Sequence, residues 1–215
     1  MVPRSQLYGR TFIGLGNGSK LLALTYDDGP NDPWTGHLLD VLARHDVRAT
    51  FFMLGRHVQQ RPEIARLVAQ AGHVIGNHTF SHPNLIFSSP AQIASQIDDC
   101  DSALADAVGE HSRLFRPPFG GRRPDVLSAV RHKGLVPVMW SVSAYDWNAD
   151  PADKVERKVA SQVRGGDVIL MHDGGHLALG ADRSASVAAT DLIIRRYKGE
   201  GYRFITVPEM MEALV

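Results

Sequence analysis

Residues 21–30, LLALTYDDGP, constrain this chain more than any other stretch. An apolar run from Leu21 to Leu24 has the character of a buried strand. It stops abruptly at Thr25-Tyr26-Asp27-Asp28, and Gly29-Pro30 then forces a turn. In α/β proteins, loops leaving the carboxyl ends of parallel strands carry the functional groups. Two adjacent carboxylates there are costly to bury without a positive partner. A cation is the obvious one, and nitrogen ligands follow later in His78-Thr79-Phe80-Ser81-His82.

From Leu21 onward, strand-like and helix-like segments alternate. Strands are expected at 21–25, 49–54, 73–78, 113–116, 136–142, 167–172 and 203–207. Helices are expected from Asp32-Pro33, then at 62–71, 89–108, 124–132, 153–163, 186–198 and 208–214. The clearest helix opens at Ser89-Pro90 and closes at Gly109, the usual proline-first, glycine-last asymmetry. Residues 10–15 and 20–25 are expected to pair as a short N-terminal hairpin around Asn17-Gly18. The glycines of that region match neither phosphate-loop spacing, and a strand rather than a helix follows them. About seven strand–helix units predict an α/β fold, a parallel sheet closed or nearly closed into a barrel. The chain of 215 residues then divides as one domain: an extension and hairpin at 1–20, a core at 21–207 and a closing helix at 208–215.

Composition narrows the functional classes. Lys and Arg (23) balance Asp and Glu (23), so the basic footprint of a nucleic-acid binder is missing. No apolar run approaches the roughly 18 residues that span a bilayer. The single Cys100 excludes an intramolecular disulfide framework and an all-cysteine metal site. The first residues, Met1-Val-Pro-Arg-Ser-Gln, lack the apolar core of a secretion signal.

The polar exceptions fall at strand ends. Asp27 and Asp28 follow one strand, His78 and His82 another, Arg116 a third, Asp146 a fourth and His172 a sixth, positions that converge on one rim of a barrel. His78 and His82 have the i,i+4 spacing that puts two imidazoles on one face of a helical turn, where they can share a metal. The bland alternative is one capping and one surface histidine. Thr79 stands where HExxH has its glutamate, which argues against a metalloprotease. A catalytic zinc site needs a third protein ligand, and Asp27 or Asp28 is the candidate in kind. A two-carboxylate glycosidase fits poorly, because strand neighbours point to opposite faces. Division of labour fits better: one Asp binds metal and the other acts as base. His172, at a strand end before Asp173-Gly174-Gly175, is a candidate general acid or simply a strand cap. His37, His45, His57, His111 and His132 fall on expected helices or loops and are read as solvated, and His176 is a residue that could line the rim.

TYDDGP (25–30), HTFSH (78–82), RPPFG (116–120), Asp146-Trp147 and Leu170-Met171-His172 occur in this order. Together they resemble the five motifs of the NodB-homology polysaccharide deacetylases, over nearly the whole chain. The resemblance implies a distorted, incomplete (β/α) barrel holding one divalent metal, zinc in most members, with Co2+ or Ni2+ as substitutes. It implies Asp28, His78 and His82 as ligands, Asp27 as general base beside Arg116, and Phe119 as an oxyanion donor through its backbone N–H. His172 becomes the general acid paired with Asp146. Trp147 and Leu170 form the slot for the acetyl methyl, with Pro118 also at the substrate.

The implied partner is an acetylated glycan, a β-1,4-linked N-acetylglucosamine polymer or oligomer, and the implied state a monomer. The implied location is extracytoplasmic if a signal segment has been removed. Acetylated xylan is the rival substrate, and a non-catalytic glycan-binding barrel the rival class. Three departures stand out: no acidic residue lies in 141–145, Phe119 replaces a frequent tyrosine, and Tyr26 replaces a common phenylalanine.

Overall fold

A computed structural model describes residues 5–148 and 150–214. Its centre is β1 (Leu21–Asp27), flanked by β2 (Thr50–Met53) and β7 (Asp167–His172). Outward from β2 lie β3 (Val74–Asn77), β4 (Leu114–Phe115) and β5 (Val136–Pro137); beyond β7 lies β6 (Val142–Ser143). All these pairings are parallel, and β8 (Arg203–Phe204) joins the start of β1. The order β5-β4-β3-β2-β1-β7-β6 ends on two different strands, giving the expected curled, incomplete barrel.

Helices α1 (Trp34–Arg44), α2 (Gly55–Gln60), α3 (Pro62–Gln70), α4 (Pro90–Val108), α5 (Pro124–His132), α6 (Ala152–Gln162), α7 (Ser184–Gly199) and α8 (Val207–Glu212) connect and cover the strands. The short α2 follows β2 directly and carries no amphipathic repeat long enough to announce it. In α4, Ser89 Oγ accepts from the Gln92 N–H while Gln92 Oε1 accepts from the Ser89 N–H, a complete capping box. Gly109 ends α4 at φ 80°. Its inward stripe of Ile93, Ile97, Cys100, Leu104 and Ala107 is fully helical in period. Among the described residues no helix is long and apolar enough to cross a membrane.

Two features differ from the sequence expectation. The arm before β1 makes its bridges from Phe12 to Val138 and from Gly14 to Asp167, because one edge of β1 is occupied by β8 and β2 and the other by β7. The single strand expected at 136–142 is divided. β5 pairs with β4, whereas β6 pairs with β7, on opposite ends of the sheet, so the chain must cross between them at 138–141.

The period-two alternation of β1 and β7 creates the site. Leu22, Leu24 and Tyr26 on β1, with Ile169 and Met171 on β7, pack outward against the helices. Ala23 and Val168 face the barrel interior with Phe52, Leu114 and Val138. Thr25, Asp27, Leu170 and His172 continue that inner row toward the carboxyl rim. Opposite them, Gly76 is required, since a Cβ there would lie 2.4 Å from the Phe52 ring.

Candidate active site

Asp27 ends β1 and Asp28 leaves it at φ 74°, a left-handed conformation that costs energy for any residue but glycine. That reversal cancels the alternation that would have separated two neighbouring carboxylates, and both line one cleft of about 770 Å³. The surroundings enforce it. The Asp28 N–H donates to the Phe52 carbonyl at 3.2 Å. His57 Nδ1 lies 3.0 Å from the Asp28 carbonyl oxygen. Gly174 packs so closely that a Cβ would sit 2.2 Å from that same oxygen. His57, expected to be solvated, is therefore buried behind the site; α2 carries it there.

His78 and His82 come together through a loop and not through a helical turn. Thr79 (φ 71°) and His82 (φ 64°) are both left-handed, the Thr79 N–H donates to Asn77 Oδ1 at 2.9 Å, and the His82 N–H donates to Thr79 Oγ1 at 3.1 Å. The two rings end 5.0 Å apart, centroid to centroid. Asp28 Oδ1 lies 3.6 Å from His78 Nε2 and 3.3 Å from His82 Nε2.

These three residues fit a divalent metal. Their ligand atoms lie within 4.8 Å of one another. Asp28 Oδ1 is buried with no hydrogen-bond partner among the described residues, as a metal-ligating oxygen would be. His78 Nδ1 is 2.7 Å from the Arg116 carbonyl, so its proton sits there and Nε2 presents a lone pair. Burial pushes His82 down to about 3, with the neighbouring His78 adding to it, so its ring is neutral. Burial would raise Asp28, but the surrounding imidazoles of His176, His172, His78 and His82 hold it well below the usual carboxylate range. Neutral imidazoles and an ionised carboxylate are the forms a metal binds.

Arg116 is fully buried at the end of β4. Its Nη1 donates to Asp27 Oδ1 and to Thr25 Oγ1, each at 2.8 Å, and its Nη2 donates to the Met139 carbonyl at 3.1 Å. The guanidinium carbon lies 4.1 Å over the Phe52 ring. Asp27 is thus held by one oxygen, and its other oxygen, Oδ2, is 3.7 Å from His78 Nε2. Phe119, at φ 56° in the turn Pro118–Gly120, sets its half-exposed ring edge-on to His82 at 4.5 Å. Pro117, Phe119 and Gly120 line the cleft. Pro118, expected at the substrate, is not among the lining residues and is buried in the turn behind them.

Across the cleft, His172 Nδ1 lies 2.9 Å from Asp146 Oδ1, and Asp146 Oδ2 accepts the His172 backbone N–H at 2.8 Å. Ser186 Oγ donates to the same oxygen at 2.7 Å, a contribution from α7 that nothing in the sequence pattern marked. Burial pushes His172 down, but the Asp146 charge and hydrogen bond outweigh it and raise the imidazole to about 9. Trp147 stands edge-on to His172 at 5.2 Å, and with Leu170 it forms an apolar wall of the cleft.

The far wall is the loop 173–183. Asn31 donates to the Asp173 and Ala181 carbonyls and accepts from the Gly180 N–H, and Arg183 Nε donates to the Gly174 carbonyl at 2.7 Å. Asn31 and Arg183 have no motif of their own and went unnoticed in the sequence.

Comparison with known proteins agrees with this geometry. Residues 15–138 match the polysaccharide deacetylase family. A peptidoglycan-N-acetylglucosamine deacetylase of Bacillus cereus is 38% identical over 95% of this chain and 73% of its own length. A chitooligosaccharide deacetylase of Rhizobium leguminosarum bv. trifolii is 35% identical over 92% of this chain and 95% of its own. A solved peptidoglycan N-acetylglucosamine deacetylase superposes with a TM-score of 0.86 at 39% identity, covering 93% of this chain and 91% of that one. A metal-competent Asp-His-His cluster at the rim of an open parallel barrel, carried by a sequence this similar, makes the chain a hydrolase of the polysaccharide deacetylase family.

Proposed function

We propose that this protein hydrolyses N-acetyl groups of β-1,4-linked N-acetylglucosamine glycans, chitooligosaccharide or peptidoglycan, and releases acetate. The observation that carries the reading is the β1–β7 register, which sets Asp27 and His172 side by side on neighbouring strands, both lining one cleft with the Asp-His-His cluster. Asp28, His78 and His82 would hold the metal, and one carboxylate with two imidazoles is a donor set suited to Zn2+. When bound, the metal polarises the acyl oxygen and acidifies water.

The remaining work belongs to side chains of this chain. Asp27, with Oδ1 held by Arg116, takes the proton of the attacking water on Oδ2. The Phe119 backbone N–H, in its left-handed turn, would donate to the oxyanion that develops at the acyl carbon. His172, its Nδ1 committed to Asp146, delivers the Nε2 proton to the departing amine nitrogen. Trp147 and Leu170 receive the methyl group and disfavour longer acyl chains, each methylene being worth about 1–3 kcal/mol.

The test is acetate release by Zn2+-loaded protein from chitooligosaccharides, peptidoglycan and acetylated xylan. Release from the N-acetylated glycans is expected. Release from xylan alone would make the protein an esterase, and no release from any of them would make it a binding barrel.

A further inference from the structure

The two histidines of the cluster are not held alike. His78 is oriented by a hydrogen bond from Nδ1 to the Arg116 carbonyl at 2.7 Å. His82 Nδ1 is buried and has no hydrogen-bond partner among the described residues. Metal-binding imidazoles almost always use that second nitrogen to fix the ring, so something else must fix this one.

The ring contacts identify it. His78 and Phe119 meet His82 edge-on, at 62° and 71°. His176 alone lies flat on it, with centroids 4.4 Å apart and planes 23° from parallel. The same imidazole faces the third member of the cluster. Asp28 turns Oδ1 toward the two histidines, and its Oδ2 lies 3.8 Å from His176 Nδ1. His176 also touches Phe119 edge-on at 5.5 Å, so it packs against the cluster and against the turn at 118–120 together.

The loop that carries His176 is built to hold it. The Arg56 guanidinium donates to the His176 carbonyl, and the flanking residues are tied down by Arg183 at Gly174 and by Asn31 at Asp173, Gly180 and Ala181. A ring nearly parallel to His82 is badly directed for sharing a metal with it. A role behind the ligands suits the geometry better.

We propose that His176 is a positioning residue of the metal centre: it fixes the plane of His82 by stacking and faces Asp28 Oδ2, so that Oδ1 is the oxygen presented to the metal. The inference rests on the reading of Asp28, His78 and His82 as ligands. Supporting groups of this kind contribute about 10–100-fold to metal affinity.

The experiment is the Zn2+ dissociation constant, measured by chelator competition on the metal-free full chain, for wild type, His176→Ala and His176→Phe. Melting temperatures of the metal-free proteins are taken alongside. His176→Ala is expected to bind Zn2+ about 10–100-fold more weakly at an unchanged metal-free melting temperature. His176→Phe keeps the ring and loses Nδ1, and is expected to recover part of that loss. Affinity within twofold of wild type in both variants would overturn the positioning role while leaving the ligand set standing. A wild-type protein that does not bind Zn2+ would overturn both.

Discussion

Asp146 grips His172 twice, at ring Nδ1 (2.9 Å) and at the backbone N–H (2.8 Å), and its second oxygen is filled further by Ser186. The carboxylate has no freedom to turn away. Against the burial that would raise it, the His172 charge and these hydrogen bonds keep Asp146 below the usual carboxylate range. The pair therefore behaves as an ionised carboxylate supporting a protonated imidazole through neutral pH.

That sets a pH dependence. With His172 at about 9, turnover that needs its proton should hold through neutrality and fall as pH rises through about 9. Asp146→Asn removes the largest raising influence, leaving burial, which lowers the imidazole, opposed only by the smaller pull of the Asp28 and Asp27 charges. The alkaline limb of kcat/KM should move at least one pH unit toward acid, lowering the rate at pH 8 by about twofold or more. A pH–rate profile with the limb unmoved would show that another group supplies the proton.

Asp27→Asn should lower kcat by about 10²–10⁴-fold while metal content stays near one ion per chain. The reason is the division between neighbours: Asp28 faces the histidines, whereas Asp27 is anchored on Arg116. Acetate release and metal analysis on one preparation check both halves. Near-normal turnover would remove Asp27 from the base role.

Leu170→Ala should widen the acyl slot. Leu170 lies on the inner row of β7, so the change trades stability for room, at about 2–5 kcal/mol for a buried leucine. The ratio of propionyl to acetyl release should rise by about 10-fold or more, following the worth of a methylene in a tight pocket. Paired assays on N-propionyl and N-acetyl oligosaccharides measure it.

Asp173 supplies a stability test. Burial is the main influence raising it to about 7; the Thr35 hydrogen bond at 2.6 Å opposes this and the Asp28 charge adds to it. The folded state thus holds a proton that an unfolded carboxyl, near 3.9, has already lost. Stability should fall as pH rises from about 4 to about 7 and level off above. Asp173→Asn removes that slope. Relative to wild type, the urea midpoint of the metal-free variant should gain on going from pH 5 to pH 8, since only the Asp173 contribution differs between the two proteins.

Much of this architecture was legible in the residue pattern because burial and period coincide. The run before Asp27, the Ser89-Pro90 opening and Gly109 closing of α4, and the DVILMH strand all fall where local chemistry and tertiary packing agree. The divided strand at 136–142 was not legible, since its apolar residues serve two distant neighbours and no local signal separates them. The cluster residues were legible from strand ends. The way His78 and His82 meet was not, because left-handed Thr79 and His82 are forced by the surrounding hydrogen bonds and not by residue type. His57, Ser186 and Asn31 act through partners far away in sequence, and Arg183 through a carbonyl nine residues back across an irregular loop, neither of which a spacing rule reports.

Register pairing of Asp27 with His172 places the two groups proposed to handle protons on adjacent central strands, with no other strand between them. The rest of the cleft wall is different in kind: Phe119, Trp147 and residues 175–181 all sit on connections. Exchanging or lengthening residues 177–181 would therefore reshape the cleft mouth while leaving Asp27 and His172 in place, whereas Phe119 and His176, whose rings lie against His82, have to be kept.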